Sequence, residues 1–220
     1  MTARDLVIIF VLIISGTSAF AGERVAPIPA PALDDANATD GTQTAVLSGG
    51  CYWGMQSVFE HVAGIGKVTA GFSGIARTGG DIDRFGRVPS EAVEIVYDPH
   101  RISYGRILQL FFSVAHDPTQ VDRQGPDAGP QYRSVIYYSD ELQRKIAQGY
   151  MAQLNAAHVF AAPIATEIVP LVQFRRVADS QQHYAAKHPD SPYVAMVDAP
   201  KLGALKAMFP ALYRESPPAQ

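Results

Sequence analysis

The sequence predicts an α+β fold, a two-layer sandwich with helices packed on a mixed, mainly antiparallel sheet. Strand-like and helix-like segments are interspersed, and one hairpin-like pair of strands stands before the second helix. Of the 220 residues, 47% are hydrophobic and 10% aromatic, which suits a packed core and excludes a disordered chain. Setting aside a 21-residue leader leaves 199 residues, enough for one domain.

Residues 1–21 read as a secretory signal peptide. Arg4 precedes the apolar run Leu6 to Ile14, and Ala19-Phe20-Ala21 offers a small-residue cleavage site. The uncharged stretch from Leu6 to Gly22 is 17 residues, the short edge of the about 17–25 that a spanning helix uses. The chain is therefore expected to be exported, periplasmic or secreted, with an uncleaved N-terminal membrane anchor as the alternative. Residues 22–43 are rich in Ala and Pro and read as a linker or disordered arm. The domain is expected over 44–215, followed by a short tail, 216–220.

Within the domain, Thr44 to Leu47 is a short apolar strand. Met55, Val58, Phe59 and Val62 keep helical spacing, so a helix is expected from about Trp53 to Val62, ended by Gly64 and Gly66. Val68 to Phe72 reads as a strand, Ser73 to Pro89 as a loop, and Glu91 to Tyr97 as a second strand closed by Asp98-Pro99. Ser103 is placed to cap a helix bearing Ile107, Leu108, Phe111, Phe112 and Ala115. After a loop over 119–131, Ser134 to Tyr138 is a strand, Asp140 caps a helix to about Ala157, and Ala165 to Phe174 reads as one more strand. A short helix, Lys201 to Met208, ends the order.

Eighteen Lys and Arg against 21 Asp and Glu give a net charge of −3, with no basic footprint for nucleic acid. The six histidines form no ligand set at metal spacing, and no metal site is expected. There is one cysteine, Cys51, which can form neither an internal disulfide nor a structural zinc site. It lies in a strand-to-helix turn, Gly49-Gly50-Cys51-Tyr52-Trp53-Gly54. A helix N-terminus offers free N–H groups that lower a thiol pKa, so this position suits a reactive thiolate.

Gly50-Cys51-Tyr52-Trp53-Gly54 resembles the Gly-Cys-Phe-Trp-Gly signature of the peptide methionine sulfoxide reductase A family. Ala70 to Gly74 is similar to that family's Ala-Gly-Tyr-Thr-Gly segment, Glu91 to Pro99 to its Glu-Ala-Val strand, and His116 to Gln120 to its His-Asp-Pro loop. Arg123 to Ser134 resembles the signature ending Gln-Tyr-Arg-Ser. Gln181 to Tyr184 and Lys187-His188-Pro189 echo a His-Gln-Gln-Tyr…Lys-Asn-Pro stretch. The motifs keep their order from about Thr44 to Pro189, and the expected sheet has a ferredoxin-like core.

The resemblance implies reduction of methionine S-sulfoxide, free or in proteins. Cys51 is then the nucleophile, ending as sulfenic acid, Glu91 the proton donor for the sulfoxide oxygen, and Tyr132 a hydroxyl that bonds that oxygen or orients Glu91. Strand alternation places Glu91 with Val93 and Ile95 on one face and Glu94 on the other. Tyr52 and Trp53 are expected to wall the substrate methyl. Asp117 and Asp127 match family loop positions and are candidates for substrate contact or for turn-building. Phe72 stands where the family usually has Tyr. Pro89-Ser90 stands for Gly-His, Pro130 for Thr and Ile75 for Gly, which bears on efficiency more than on reaction class.

No cofactor is expected to be bound. With no second cysteine, recycling needs an external thiol, small or thioredoxin-like, and nothing in the sequence demands more than a monomer. The rival readings are a Cys-His hydrolase using His116 or His183 as base, and an inactive relative that only binds oxidised methionine.

Overall fold

The computed structural model describes residues 28–35, 40–74 and 88–217. The expected signal peptide and most of the loop between residues 73 and 89, with Ile75, lie outside them. Among the described residues no helix is long and apolar enough to cross a membrane.

The order is β1 (Gln43–Ser48), α1 (Tyr52–Glu60), β2 (Ile65–Ser73), β3 (Ser90–Tyr97), α2 (Tyr104–Leu110), the short hairpin β4 (Arg123–Gln124) and β5 (Asp127–Ala128), β6 (Val135–Tyr138), α3 (Glu141–Ala156), β7 (Glu167–Pro170), β8 (Phe174–Arg176), α4 (Tyr184–Lys187) and α5 (Ala199–Met208). A six-stranded sheet runs β7-β6-β1-β3-β2-β8. Its β6-β1-β3-β2 centre is antiparallel, with α1 and α2 as the connections, which is the ferredoxin-like order. Only β7 on β6 is parallel.

The main core lies between the sheet and the helices, where Leu47, Val93, Ile95 and Tyr97 meet Met55, Val58, Phe59, Ile107, Phe111 and Ile146. Both predicted caps form: the Ser103 side chain accepts from the Arg106 amide and Asp140 from that of Gln143. Helix α2 widens into a π turn, Phe111–Ala115, and ends at His116.

Three sequence expectations change. The strand expected over Ala165 to Phe174 is two strands on opposite sheet edges. Pro170 has no N–H to continue the ladder, and the chain crosses from β7 to β8 through three residues. Six flat strands would hold their edges about 24 Å apart, whereas Pro170 to Phe174 spans at most roughly 14 Å. The sheet must therefore curl until its edges approach. The crossover fills the hollow, with Val169, Leu171 and Phe174 packing on Val46, Ala92, Val135 and Tyr137. A Cβ at Gly71 would lie 2.4 Å from the Phe174 ring, so this closure needs glycine there.

The second change is the arm. Within the stretch expected to be a linker or disordered arm, residues 28–35 lie against the domain. Ile28 is buried and its carbonyl accepts from the Gln109 amide, while Tyr150 donates to the Pro29 carbonyl at 2.6 Å. Asp34 accepts from the Ser103 hydroxyl and the Gly105 amide, and Asp35 from the Tyr104 amide. The carboxylates supply the acceptors that the first turn of α2 lacks internally. Pro29 and Pro31 favour an extended backbone, but that preference says nothing of whether it docks.

The third is the C-terminal helix, which begins at Ala199 and is preceded by a π turn over Val194–Asp198.

Candidate active site

Cys51 occupies the N-cap position of α1, directly after β1. The turn that brings it there needs its glycines. Gly50 has φ +91°, and a Cβ on it would sit 2.7 Å from Gln124; a Cβ on Gly54 would sit 2.3 Å from an Asp198 carboxylate oxygen. The Gln124 side chain is fixed in turn by accepting the Asp117 amide and donating to the Asp117 carbonyl.

Glu91, near the start of β3, reaches the same point. Its carboxyl accepts the Tyr52 backbone N–H at 3.0 Å, which sets its charge beside the Cys51 thiol. As alternation predicts, it shares the helix-side face with Val93 and Ile95. Burial is the main force on its acidity and pushes the pKa up to about 7, against the opposing Tyr52 amide. Near neutrality it therefore has a large protonated fraction.

The thiol itself corrects the expectation of a lowered pKa. Burial, and next the Glu91 charge, push it far above the ordinary thiol value; the Trp53 amide at the helix start acts the other way but is outweighed. The resting site holds a protonated thiol, and ionisation must accompany the chemistry.

Tyr132 closes a 3-10 turn, Pro130–Tyr132, on the same side. Its pKa is raised first by burial and then by Glu91, Asp127 and Cys51, whose charges it feels. Tyr52 is buried, and its ring meets Phe72 edge-on at 5.9 Å. Phe72 lies opposite Glu91 in the β2–β3 register, so the residue that replaces the family's usual Tyr still sits beside the acid, without a hydroxyl.

Trp53 is held on several sides. Tyr184 stacks on it at 3.7 Å, Tyr193 meets it edge-on at 5.8 Å, and its Nε1 donates to Gln181 Oε1 at 3.2 Å, an oxygen that Tyr52 also approaches. Gln182 anchors this segment from below, bonding both polar groups of Ala70 and the Gln56 amide.

The two loop aspartates part company. The Asp127 carboxylate accepts the Tyr193 hydroxyl at 2.5 Å and belongs to the site. The Asp117 carboxylate accepts from the Thr119 amide, the Thr119 hydroxyl and Gln120. Although burial opposes it, these bonds keep its pKa below the ordinary value. Asp117 builds the turn that seats Gln124 against Gly50.

The histidines give no support to a Cys-His hydrolase. His116 is buried, its two ring nitrogens engaged by the Phe111 carbonyl and the Ser134 hydroxyl, and burial drives its pKa down to about 3. His183 pairs with Glu60 at 2.5 Å. Neither is among the groups acting on the Cys51 thiol. Among the described residues no group of three His, Cys, Asp or Glu side chains is disposed to hold a metal.

Sequence reasoning missed Tyr193, and it assigned no role to Gln181, Tyr184 or Asp198. Gln181 and Tyr184 fall in a matched motif; Tyr193 and Asp198 lie beyond Pro189, where the motifs end, and no periodicity marks them.

A thiol at a helix start, a buried carboxyl near it and an aromatic wall, on a curled α+β sheet, are the parts a thiol-based enzyme site would need. Residues 43–211 match the family model described as peptide methionine sulfoxide reductase. The chain is 43% identical over 186 residues to peptide methionine sulfoxide reductase MsrA 2 of Mesorhizobium japonicum, covering 83% of this chain and 95% of that one. It is 40% identical over 190 residues to MsrA 2 of Synechocystis, covering 84% and 89%. The solved methionine sulfoxide reductase A of Corynebacterium diphtheriae is similar at a TM-score of 0.52 and 34% identity, over 69% of this chain and 77% of that one. Reduced Mxr1 from Saccharomyces cerevisiae shares the fold, with a TM-score of 0.58 and 22% identity over 68% and 87%. The chain belongs to the peptide methionine sulfoxide reductase family, and is an oxidoreductase acting on methionine sulfoxide in peptides.

Proposed function

We propose that the enzyme takes the S epimer of methionine sulfoxide, protein-bound or free, and reduces it through Cys51 and an external thiol. The observation that carries this reading is the buried Glu91 carboxyl held by the Tyr52 amide next to Cys51, its pKa pushed up to about 7 by burial. A sulfoxide sulfur is electrophilic when its oxygen is protonated. Protonated Glu91 supplies that proton, and Tyr132 adds a hydroxyl from the same side. Tyr52 and Trp53 pack the S-methyl group, and the Gln181, Tyr184 and Tyr193 contacts keep the indole in one orientation.

Cys51 sulfur attacks the sulfoxide sulfur, the substrate S–O bond breaks, and oxygen ends on Cys51 as sulfenic acid. Methionine gains two electrons and Cys51 loses two, with no net proton change. A first external thiol then displaces the hydroxyl as water to give a mixed disulfide, and a second releases Cys51. Cys51 is the only cysteine, so both thiols come from outside, as a small dithiol or a thioredoxin-like protein. The N-terminal leader supports export and work on oxidised proteins outside the cytoplasm.

Mass spectrometry tests the first half-reaction. One equivalent of S-sulfoxide without reductant should add a single oxygen, or its dimedone adduct, at Cys51. Methionine formed while Cys51 stays an unmodified thiol rejects the mechanism.

A further inference from the structure

Trp53, Gln56 and Glu60 follow one another at i, i+3 and i+7 along α1 and so share one stripe of that helix. The mechanism above uses only the first of them. The segment 181–184 runs along the stripe and meets all three. Gln181 Oε1 accepts the Trp53 Nε1–H, and the Tyr184 ring stacks on the indole. Gln56 Oε1 accepts the His183 backbone N–H at 2.8 Å, and Gln56 Nε2 donates to Gln182 Oε1 at 3.1 Å. Glu60 Oε1 lies 2.5 Å from His183 Nδ1. This last contact is built at some cost. The Glu60 side chain is only 2% exposed, so its carboxyl has left water and depends on its partner. His183 sits at the N-cap of α4 with φ +56°, a left-handed conformation uncommon for a residue that carries a side chain. Its side chain makes no capping bond to α4 and is turned back onto α1 instead.

We infer that Glu60 and His183 are a positioning pair that fastens this turn to α1 and so fixes the Trp53 wall against which the substrate methyl packs. The inference rests on the reading of Trp53 given above. The turn at His183 stands between the two residues that hold the indole, Gln181 at its N–H edge and Tyr184 on its face. With the turn fastened, both contacts keep their place. Neither member of the pair touches the substrate; both act through Trp53. An imidazole nitrogen accepts from a protonated carboxyl or donates to an ionised one, so the bond forms in either state of Glu60. Burial pushes the Glu60 pKa up to about 8, with Arg214 and Lys187 opposing, so a neutral glutamine is a fair replacement for it.

The test uses Trp53 itself, the only tryptophan in the chain. Acrylamide quenching of its fluorescence is measured on the full chain for native protein, His183→Gly, Glu60→Met and Glu60→Gln, with thermal unfolding as the check on folding. Glycine suits the left-handed backbone and removes only the imidazole. Methionine keeps the bulk of Glu60 without a strong hydrogen-bonding group, whereas glutamine keeps both. His183→Gly and Glu60→Met should each make Trp53 more open to quenching. Each should also raise KM for a methionine sulfoxide peptide about fivefold, the worth of one net hydrogen bond, with kcat within about twofold of native. Glu60→Gln should match native protein in both readouts. Combining Glu60→Met with His183→Gly should be no worse than either alone, since both remove the same contact. Unchanged quenching in the two disrupting variants, a glutamine variant that behaves like the methionine one, or a more open Trp53 with native KM overturns the inference. If Glu60→Met does not fold, His183→Gly, at a partly exposed position, decides alone. Quenching needs no sulfoxide, so its failure is distinct from failure of the reductase reading, which shows as no turnover by native enzyme.

Discussion

Cys51→Ser should lose sulfoxide reduction by at least about 10⁴-fold, the scale on which nucleophile removal acts in other enzymes. The substitution is nearly isosteric and leaves the N-cap position, the Tyr52 amide bond to Glu91 and the aromatic wall intact, so folding should be close to native. What disappears is the atom that accepts oxygen. A serine hydroxyl does not become an oxygen acceptor, and the environment that already pushes the thiol pKa up opposes alkoxide still more. No second cysteine can substitute. Initial-rate assays with excess dithiol check this, and substantial residual turnover would show that reduction proceeds elsewhere.

Glu91→Gln should lower the rate about 10²–10³-fold, the cost of removing one donor aimed at developing oxyanion charge. Glutamine keeps the size of the side chain and an oxygen for the Tyr52 amide, but it cannot transfer a proton. The pH profile separates this loss from misfolding. With Glu91 as the proposed acid, its folded pKa raised by burial to about 7, only the protonated form donates. Native activity should therefore be sustained below neutrality and fall as pH rises through about 7. The residual activity of Glu91→Gln should lack that descending arm. A native profile that is flat from pH 6 to 8, or a variant that keeps the arm, assigns the proton to another group. Tyr132 is the neighbouring candidate.

Much of this site was legible in sequence because its parts are local. The glycines around Cys51 mark a strand-to-helix elbow, and period-two alternation puts Glu91 on the same face as Val93 and Ile95. Boundaries of β1, β3, α2 and α3 followed from apolar spacing and the caps at Ser103 and Asp140. What was not legible depends on distant parts of the chain. The split of Ala165 to Phe174 follows from sheet curl, a property of all six strands together. Docking of residues 28–35 depends on the amide and carbonyl partners that α2 and α3 present. The thiol's raised pKa depends on how deeply it is covered and on Glu91 lying against it, and both outweigh the helix-start effect that the local sequence suggests. Tyr193 reaches Trp53 and Asp127 only because the segment before α5 folds back across the first turn of α1, where Gly54 leaves room for Asp198.

On the proposed mechanism, Cys51 reduces methionine sulfoxide of a single configuration with electrons from outside the chain. The most direct measurement follows the separate loss of the S and R epimers of a methionine sulfoxide peptide with dithiothreitol as the only reductant. The native enzyme should consume the S epimer over many turnovers and leave the R epimer untouched. Consumption of the R epimer, or no turnover of either with dithiol present, would contradict it.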